Sequence, residues 1–296
     1  MKISLIGSNG FLSNSIGIFC NKEAIKLDVW GLDEPAGYSC DQYHQIDLLS
    51  QEIVYGMLSD SDLIIYAAGL GVQSSNTDPY ESIYSINTFL PIKLFKELSK
   101  LQFKGTLITF GSYFEYGNSS QDKYLSELDI INSTNPAPND YCISKRLLTR
   151  FITSYGTELK YWHFILPTIY GESENPNRLL PYVINAIQSN SEIRLTSGEQ
   201  VRQYLYVDDI MAVLLSSLEK KLSSGIYNIA GNEEFSVKNL VNYILESFGK
   251  PLNADIFGKA AKSDTNMKVL KLDGSKLLNS INIIPTTKII DVFRKY

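Results

Sequence analysis

The sequence predicts an α/β protein with a doubly wound parallel sheet and a smaller, interleaved C-terminal lobe. Two observations predict this class. Short apolar runs of β type alternate with helical stretches through the first half of the chain, which is typical of a parallel sheet covered by helices on both faces. A loop with two glycines follows the first apolar run and opens the first helix, which is the arrangement of the Rossmann fold.

The elements of the first half follow this alternation in order. Apolar runs predict strands at residues 3–6, 27–32, 62–67, 105–110 and 161–166. The stretches between them predict helices at about residues 10–21, 79–100 and 140–155. Helix crossovers between these strands should be right-handed.

After residue 166 the pattern loosens. It predicts helices at residues 179–188 and 237–248, and short strands at residues 192–195, 204–207 and 227–229. We expect residues 1–165, together with about 203–224, to form the Rossmann domain. Residues 166–202 and 225–296 should form the smaller lobe.

Composition excludes several classes of protein. The chain has 296 residues, 44% of them hydrophobic and 20% charged, with a formal charge of −5, as in an ordinary globular protein without a nucleic-acid-binding surface. Three cysteines (Cys20, Cys40 and Cys142) lack metal-ligand spacing, and two histidines are too few for a histidine-rich metal site. Neither a signal peptide nor an apolar span of about 20 residues is evident. We therefore expect a cytoplasmic protein with no metal and no membrane partner.

The glycine loop predicts a dinucleotide cofactor. In the segment Gly7-Ser8-Asn9-Gly10-Phe11-Leu12-Ser13, Gly7 allows a tight turn, and Gly10 lets the backbone approach a pyrophosphate at the helix N-terminus. The third glycine of the usual motif is replaced by Ser13. Asp33 ends the second strand, where a carboxylate accepts hydrogen bonds from ribose hydroxyls and repels a 2′-phosphate, which favours NAD over NADP. Cofactor contacts are expected from Gly7, Asn9, Gly10, Phe11, Leu12 and Asp33, and adenine contacts from Asp47 and Leu48.

A tyrosine and a lysine lie four residues apart in Tyr141-Cys142-Ile143-Ser144-Lys145. On a helix these two side chains share a face. A neighbouring cation favours the phenolate, so we expect Lys145 to lower the pKa of Tyr141 from its usual value of about 10. Such a phenol suits proton exchange between an alcohol and a carbonyl. The Ser112 hydroxyl could hold the carbonyl oxygen.

With these motifs in this order, the chain resembles the extended short-chain dehydrogenase/reductases, the nucleotide-sugar epimerase/dehydratase family, over nearly its whole length. Further segments carry the resemblance: Ala67-Ala68-Gly69; Pro79, Tyr84 and Asn87; Ser112-Tyr113-Phe114-Glu115-Tyr116-Gly117; Ile169-Tyr170-Gly171; the run from Asn177 to Tyr182; the run from Gly198 to Asp209; the run from Gly225 to Ala230; and the run from Leu272 to Lys276.

The resemblance implies that the Rossmann domain binds NAD(P) and that the smaller lobe binds a nucleotide sugar. It also implies roles for individual residues. Ser112, Tyr141 and Lys145 would be catalytic. Ala67, Ala68, Gly69 and Asn87, with Tyr141 and Lys145, would contact the cofactor, and Thr168, Asn177, Arg178, Leu179 and Arg202 would bind the substrate, with Arg202 on its pyrophosphate. Alternative interpretations are a solvated helix-start arginine for Arg178 and a structural partner of Asp208 or Asp209 for Arg202. We interpret His163 as a satisfied core histidine and Cys142 as a packing residue.

The resemblance also narrows the reaction. Dehydratases of this family carry an Asp-Glu pair after the catalytic Ser or Thr, whereas this chain has Tyr113 and Phe114. A phenylalanine cannot transfer a proton, so dehydration is not expected. No cysteine lies near Ser112, which weakens epimerisation next to a 4-keto group. We favour a C4 reductase of a nucleotide-linked 4-keto-deoxyhexose, as in surface-polysaccharide biosynthesis; a 4-epimerase and a non-catalytic nucleotide-binding module are the alternatives. The family also implies a homodimer formed by the helices at residues 79–100 and 140–155.

Overall fold

The computed structural model describes residues 1–72, 78–252, 254–260 and 267–296. Within these residues a seven-stranded, fully parallel sheet has the order β3-β2-β1-β4-β5-β6-β9. Its strands are β1 (Lys2–Ile6), β2 (Lys26–Gly31), β3 (Gln42–Gln45), β4 (Leu63–Tyr66), β5 (Thr106–Ser112), β6 (Tyr161–Leu166) and β9 (Gly225–Asn228). The strand order reverses between β1 and β4, where ligands of doubly wound sheets bind. The predicted fold class is confirmed.

Helices cover both faces of this sheet. One face packs against α1 (Phe11–Lys22), α7 (Asp209–Glu219) and α9 (Ser275–Ile281), and the other against α3 (Leu90–Lys100) and α5 (Asp140–Ser154). Two apolar cores therefore lie above and below the sheet, because strands buried on both faces present side chains to each. Shorter helices are α2 (Tyr80–Tyr84) and α4 (Glu127–Asn132).

A second, mixed sheet forms the smaller lobe. It contains β7 (Thr168–Tyr170), β8 (Val201–Tyr206), β10 (Glu233–Ser236) and β11 (Val269–Leu270), with β8 paired to the other three. A third apolar core joins it to α6 (Leu179–Ser189), α8 (Val237–Ser247) and α10 (Ile289–Val292).

Two details of the lobe differ from the expected arrangement. Strand β9, assigned by its sequence position to the lobe, is the seventh strand of the parallel sheet, and β8 lies in the second sheet although most of it was placed with the Rossmann domain. Residues 192–195, predicted as a strand, are not one; Leu195 instead exchanges backbone hydrogen bonds with Ile256 and Lys259. The reason is that pairing partners distant in the chain decide which sheet a short apolar run joins.

The helix predicted at residues 79–100 is interrupted by a π-helical turn, Ser85–Phe89. Pro91 lies just beyond it, at the start of α3. Proline has no N–H to donate to the carbonyl four residues earlier, and its ring crowds that carbonyl, so a wider turn relieves the conflict. The turn places Asn87 inside the protein, fully buried.

In the described parts of the chain, no helix combines the length and the apolar character that crossing a membrane requires.

Candidate active site

Two cavities meet at the carboxyl edge of the parallel sheet, beside the point where the strand order reverses. One is lined by residues that include Gly7, Asn9, Asp33, Asp47 and Leu48. The other has a volume of about 320 Å³ and is lined by residues that include Phe11, Leu12, Ser112, Phe114, Tyr141, Lys145, Thr168 and Arg178. Gly10, Ala67, Ala68, Gly69 and Leu70 line both. The two cavities together therefore form one continuous groove.

The glycine loop leaves room for a phosphate at the start of α1. Gly7 has φ +107°, and a Cβ on it would lie 2.8 Å from the backbone nitrogen of Ala68, so only glycine fits without strain. Gly10 is the N-cap of α1 and offers no side-chain cap. The first-turn N–H groups therefore keep their hydrogen-bonding capacity for an anion.

Asn9 organises the loop that follows β2. Its side-chain oxygen accepts a hydrogen bond from the N–H of Ala36 (3.0 Å), and its amide nitrogen donates to the carbonyls of Asp33 (3.3 Å) and Glu34 (3.1 Å). These bonds hold the loop against the glycine turn and leave the Asp33 side chain exposed at the cavity wall. A carboxylate at this position suits the ribose hydroxyls of NAD.

Asp47 and Leu48 lie at the same end of the groove. The Asp47 carboxylate accepts hydrogen bonds from Ser50 Oγ (2.7 Å) and Leu49 N (3.0 Å), and these bonds lower its pKa from the ordinary value. The carboxylate therefore shapes its own turn, and the turn presents Leu48 to the cavity.

Asn87 lies behind the residues that line the groove. Its side-chain oxygen accepts the N–H of Leu70 (3.0 Å), and its amide nitrogen donates to the Leu70 carbonyl (2.9 Å) and to Ser144 Oγ (3.0 Å). It lines neither cavity. The structure thus places Asn87 where it fastens the segment after Gly69 to α5.

Ser112, Tyr141 and Lys145 converge in the second cavity. Ser112 is the last residue of β5, and its hydroxyl lies close enough to the Tyr141 phenol to lower the pKa of that phenol. Lys145, one turn later on α5, is buried, and its Nζ donates to the carbonyl of Phe110 (3.0 Å). The three predicted catalytic residues are therefore brought together.

The pKa of Tyr141 shifts in the direction opposite to the predicted one. Burial raises it well above the ordinary value, and the Ser112 hydroxyl lowers it by less. The prediction that Lys145 brings this pKa down toward neutrality is therefore wrong: the cation that lowers the pKa of Tyr141 is Arg178, and desolvation of the phenolate outweighs its charge. Burial also lowers the pKa of Lys145, to about 8, against the opposing effect of Glu115.

Aromatic side chains occupy the positions after Ser112. Tyr113 is fully buried, and its hydroxyl lies 2.5 Å from Thr168 Oγ1; burial raises its pKa. Phe114 lines the cavity beside Ser112. Neither side chain offers the carboxylate that proton abstraction from a sugar carbon requires near neutral pH.

Two arginines approach this cavity from the smaller lobe. Arg178 lines it, with its guanidinium 6.0 Å from the Phe11 ring and Nη1 3.7 Å from the buried Glu174 carboxylate. Arg202 is 8% exposed, lies 6.0 Å from the Phe114 ring and donates from Nη1 to the Val201 carbonyl (2.8 Å). Both guanidinium charges lower the pKa of Tyr113, so they act on the same side of the pocket.

Three predicted substrate contacts, Asn177, Leu179 and Arg202, lie outside the cavity lining. Asn177 is exposed, and its N–H bonds to the side chain of Asn175, which itself lines the cavity. Leu179 packs against the apolar core of the lobe. The Asp208 carboxylate accepts hydrogen bonds from Ser15 (2.6 Å) and Tyr206 (2.9 Å). It is therefore not the structural partner of Arg202 that the alternative interpretation proposed.

Glu115 is a feature that the sequence analysis missed. It is fully buried, and its carboxylate accepts the Ser112 N–H (2.7 Å) and the Thr149 hydroxyl (2.6 Å). The spacing Ser112-x-x-Glu115 is a capping-box pattern, and the structure shows this box on the turn Tyr113–Tyr116.

His163 is a satisfied core histidine, as predicted, bonded to Thr109 and Thr149. No cluster of potential metal ligands occurs among the described residues.

Comparisons with known proteins assign the chain to a family and identify structures with the same fold. The model of the NAD dependent epimerase/dehydratase family matches residues 3–230. CDP-abequose synthase from Yersinia pseudotuberculosis is 24% identical over 273 residues, 90% of this chain and 91% of that protein. Two solved structures, each 19% identical, share the fold: a dTDP-glucose 4,6-dehydratase double mutant from Streptomyces venezuelae with NAD bound (TM-score 0.83; 100% of this chain, 97% of that one) and the Bacillus cereus UDP-glucuronic acid 4-epimerase with UDP-glucuronic acid and NAD (TM-score 0.80; 99% and 97%).

The site defines an NAD-dependent oxidoreductase of the short-chain dehydrogenase/reductase class. Its defining features are the glycine loop, the uncapped start of α1 and the cluster of Ser112, Tyr141 and Lys145. The family match covers most of the chain, and the protein belongs to the NAD-dependent epimerase/dehydratase family. The predicted family, its NAD cofactor and its enzymatic nature are confirmed at this level.

Proposed function

We propose that the protein is a reductase of the C4 carbonyl in a nucleotide-linked 4-keto-deoxyhexose, in the biosynthesis of a surface polysaccharide such as O-antigen. The observation that carries this proposal is the aromatic pair Tyr113 and Phe114 beside a complete Ser112, Tyr141 and Lys145 cluster. The pocket is equipped for carbonyl reduction, and neither position after Ser112 carries a carboxylate. Asp78 also lines the cavity, and its carboxylate accepts the N–H of Gly71 (3.1 Å). Similarity to CDP-abequose synthase over 90% of this chain supports the same choice.

The side chains of the pocket have complementary tasks in this reaction. The Ser112 hydroxyl donates a hydrogen bond to the carbonyl oxygen and polarises it. Tyr141 is half-buried, and desolvation raises the pKa of its phenol. The phenol therefore stays protonated near neutral pH and can give its proton to that oxygen. The Lys145 cation stabilises the resulting tyrosinate. NAD in its reduced form, when bound, supplies the hydride.

The groove has the shape and chemistry that this cofactor needs. The first turn of α1 can accept the pyrophosphate. Asp33 lies where it can bind the adenosine ribose, and Leu48 forms part of the adenine wall. Lys145 and Tyr141 line the nicotinamide end. The Asp33 carboxylate would repel a 2′-phosphate, which favours NAD over NADP as the carrier.

The diphosphate of the substrate would meet Arg178 and Arg202. A guanidinium can bind phosphate oxygens through two parallel hydrogen bonds. Arg202 is held by its bond to the Val201 carbonyl, so little side-chain entropy would be lost on binding. Thr168, bonded to Tyr113 at the cavity wall, is a candidate contact for the sugar.

A 4-epimerase is the second candidate. Asp33 favours it, because epimerases of this family retain NAD through the reaction cycle and need no 2′-phosphate carrier. The two activities differ in what they consume. A reductase oxidises added NADH in proportion to a 4-keto sugar, which is followed by absorbance at 340 nm. An epimerase interconverts two sugars with no net change in NADH, and that result would replace our proposal with the alternative.

We further propose that the enzyme is a homodimer that pairs through the face formed by the π turn and α5. Three apolar side chains on these packed elements are solvent-exposed: Phe89 (61%), Leu147 (44%) and Ile143 (36%). A second copy of the same face would remove them from water. Light scattering after size-exclusion chromatography gives the mass that tests this assignment.

A further inference from the structure

The Glu115 carboxyl group is anchored at both oxygens. Oε1 accepts the backbone N–H of Ser112 (2.7 Å), and Oε2 accepts the hydroxyl of Thr149 on α5 (2.6 Å). The backbone carbonyl of Glu115 accepts a third bond, from Nε of Arg146 (2.7 Å). One residue therefore ties the end of β5 to the helix that carries Tyr141 and Lys145.

The hydrogen-bond chain continues into the core. Thr149 Oγ1 lies 3.0 Å from Nε2 of His163, and Nδ1 of that histidine lies 2.8 Å from Thr109 Oγ1. Thr149 has one hydroxyl proton, and when Glu115 is ionised the hydroxyl donates it in a hydrogen bond to the carboxylate. His163 must then donate from Nε2 and accept at Nδ1. Because neutral histidine has two tautomers, the whole chain can also run in the opposite direction.

The carboxylate is also a charge beside the buried lysine. It raises the pKa of Lys145, against the lowering effect of burial. Other titratable groups around it are Arg146, Tyr141 and Cys142 on α5 and His163 on β6. Of these, His163 has its pKa lowered to about 3 by burial, so it is neutral at working pH. Burial raises the pKa of Glu115 itself to about 7, against the bonds from Thr149 and Ser112 and the charge of Lys145. Glu115 is therefore a counter-charge for Lys145 above about pH 7, the range in which Lys145 loses its proton.

We propose that Glu115 is a positioning residue of this active site: its bond to the Ser112 N–H fixes the Ser112 hydroxyl against Tyr141, and its negative charge keeps Lys145 cationic. The inference rests on the proposed roles of Ser112, Tyr141 and Lys145. Nothing in the reaction requires Glu115 to touch the substrate, since it lies behind Ser112 and lines neither cavity.

Glu115→Gln separates the two tasks. The glutamine oxygen can still accept the Ser112 N–H, and its amide can donate to Thr149 if the chain through His163 reverses. Geometry is then kept while the charge is lost. We expect the sugar KM to be nearly unchanged, kcat to fall, and the alkaline limb of the kcat profile to move to lower pH by about one unit or more, the scale of losing a neighbouring opposite charge. Glu115→Leu, which loses both tasks, should lose activity at every pH.

Glu127→Gln is the matched control. Glu127 is also a buried carboxylate that accepts a backbone N–H, that of Asn228 (2.8 Å), but it does not contribute to the pKa shift of Lys145. Its pH profile should match the wild type. A wild-type kcat and pH profile in Glu115→Gln would overturn the proposal, even if Glu115→Leu failed to fold.

NADH affinity provides a readout that does not depend on turnover. Lys145 lines the nicotinamide end of the groove, so loss of its charge should weaken NADH binding, measured by fluorescence titration from pH 6 to 10. In Glu115→Gln this weakening should begin at lower pH than in the wild type. Coincident curves would refute the role of Glu115. An absence of nucleotide-sugar turnover in the wild type, with displaced curves, would instead refute the proposed reaction and leave the role of Glu115 supported.

Discussion

Replacing Gly7 with alanine should damage both stability and cofactor binding. Gly7 sits at the turn between β1 and α1 with φ +107°, a conformation that L side chains rarely adopt. The added Cβ would lie 2.8 Å from Ala68 N, 3.1 Å from Ala68 Cα and 3.2 Å from Ala67 C. All three atoms belong to the backbone at the end of β4, so the clash cannot be relieved by turning a side chain.

The cost follows from these two effects. A non-glycine residue in such a conformation costs about 1–3 kcal/mol, and overpacking against backbone adds about 1–3 kcal/mol. Partial relaxation will reduce their sum, so we expect a loss of roughly 2–4 kcal/mol in the free energy of unfolding. Relaxation must displace Ala67 and Ala68, which line both cavities, so NADH affinity should fall as well.

Urea denaturation and NADH fluorescence titration measure the two quantities, and two other glycines serve as references. A Cβ on Gly10 would meet only Ser13 Oγ, at 3.5 Å, so Gly10→Ala should weaken NADH binding by crowding the phosphate while leaving stability nearly unchanged. A Cβ on Gly56 would meet nothing within 4 Å, so Gly56→Ala should change neither quantity appreciably. Gly7→Ala with the stability of Gly56→Ala would refute the steric argument.

Four further outcomes are expected. Tyr141→Phe should abolish turnover while NADH still binds, because only the proton donor is lost; residual turnover near wild type would contradict its role. Arg202→Lys should weaken nucleotide-sugar binding by about tenfold or more, the scale of one charged hydrogen bond, with NADH affinity unchanged in the same titration. Asp33→Asn should narrow the ratio of kcat/KM between NADH and NADPH, and an unchanged ratio would remove Asp33 from the ribose site. Leu147→Asp should halve the mass seen by light scattering. Ile18→Asp should not, because Ile18, which is 52% exposed against 44% for Leu147, lies on the opposite face of the sheet.

The parts of the site that local sequence spacing determines could be predicted. Gly7 and Gly10 follow a strand and open a helix, and Tyr141 and Lys145 share a helical face, so their placement requires only helix and strand geometry. Sheet membership could not be predicted in the same way, because β9 joins the parallel sheet through a partner about 60 residues earlier in the chain. The direction of the Tyr141 pKa shift depends on burial, which the spacing of two residues does not report.

Side chains that act from behind the groove were the hardest to assign. Asn87 was expected to contact the cofactor, but the structure has it bonded to Leu70 and Ser144. A motif position marks a residue as important without saying whether it touches the ligand or the wall behind it. For Glu115, the capping-box spacing is a signal that can be read from the sequence. Its bond to Thr149 cannot be read in this way, because Thr149 lies 34 residues further along the chain.

The π turn Ser85–Phe89 has a consequence for hydrogen exchange. The Leu70 amide proton is held by the side chain of Asn87, a fully buried residue of that turn. Exchange of the Leu70 amide with solvent therefore requires this bond to break, either by movement of the segment after Gly69 or by opening of the turn 17 residues further along the chain. Its protection factor would report how often the wall of the cofactor groove comes loose from the helix behind it.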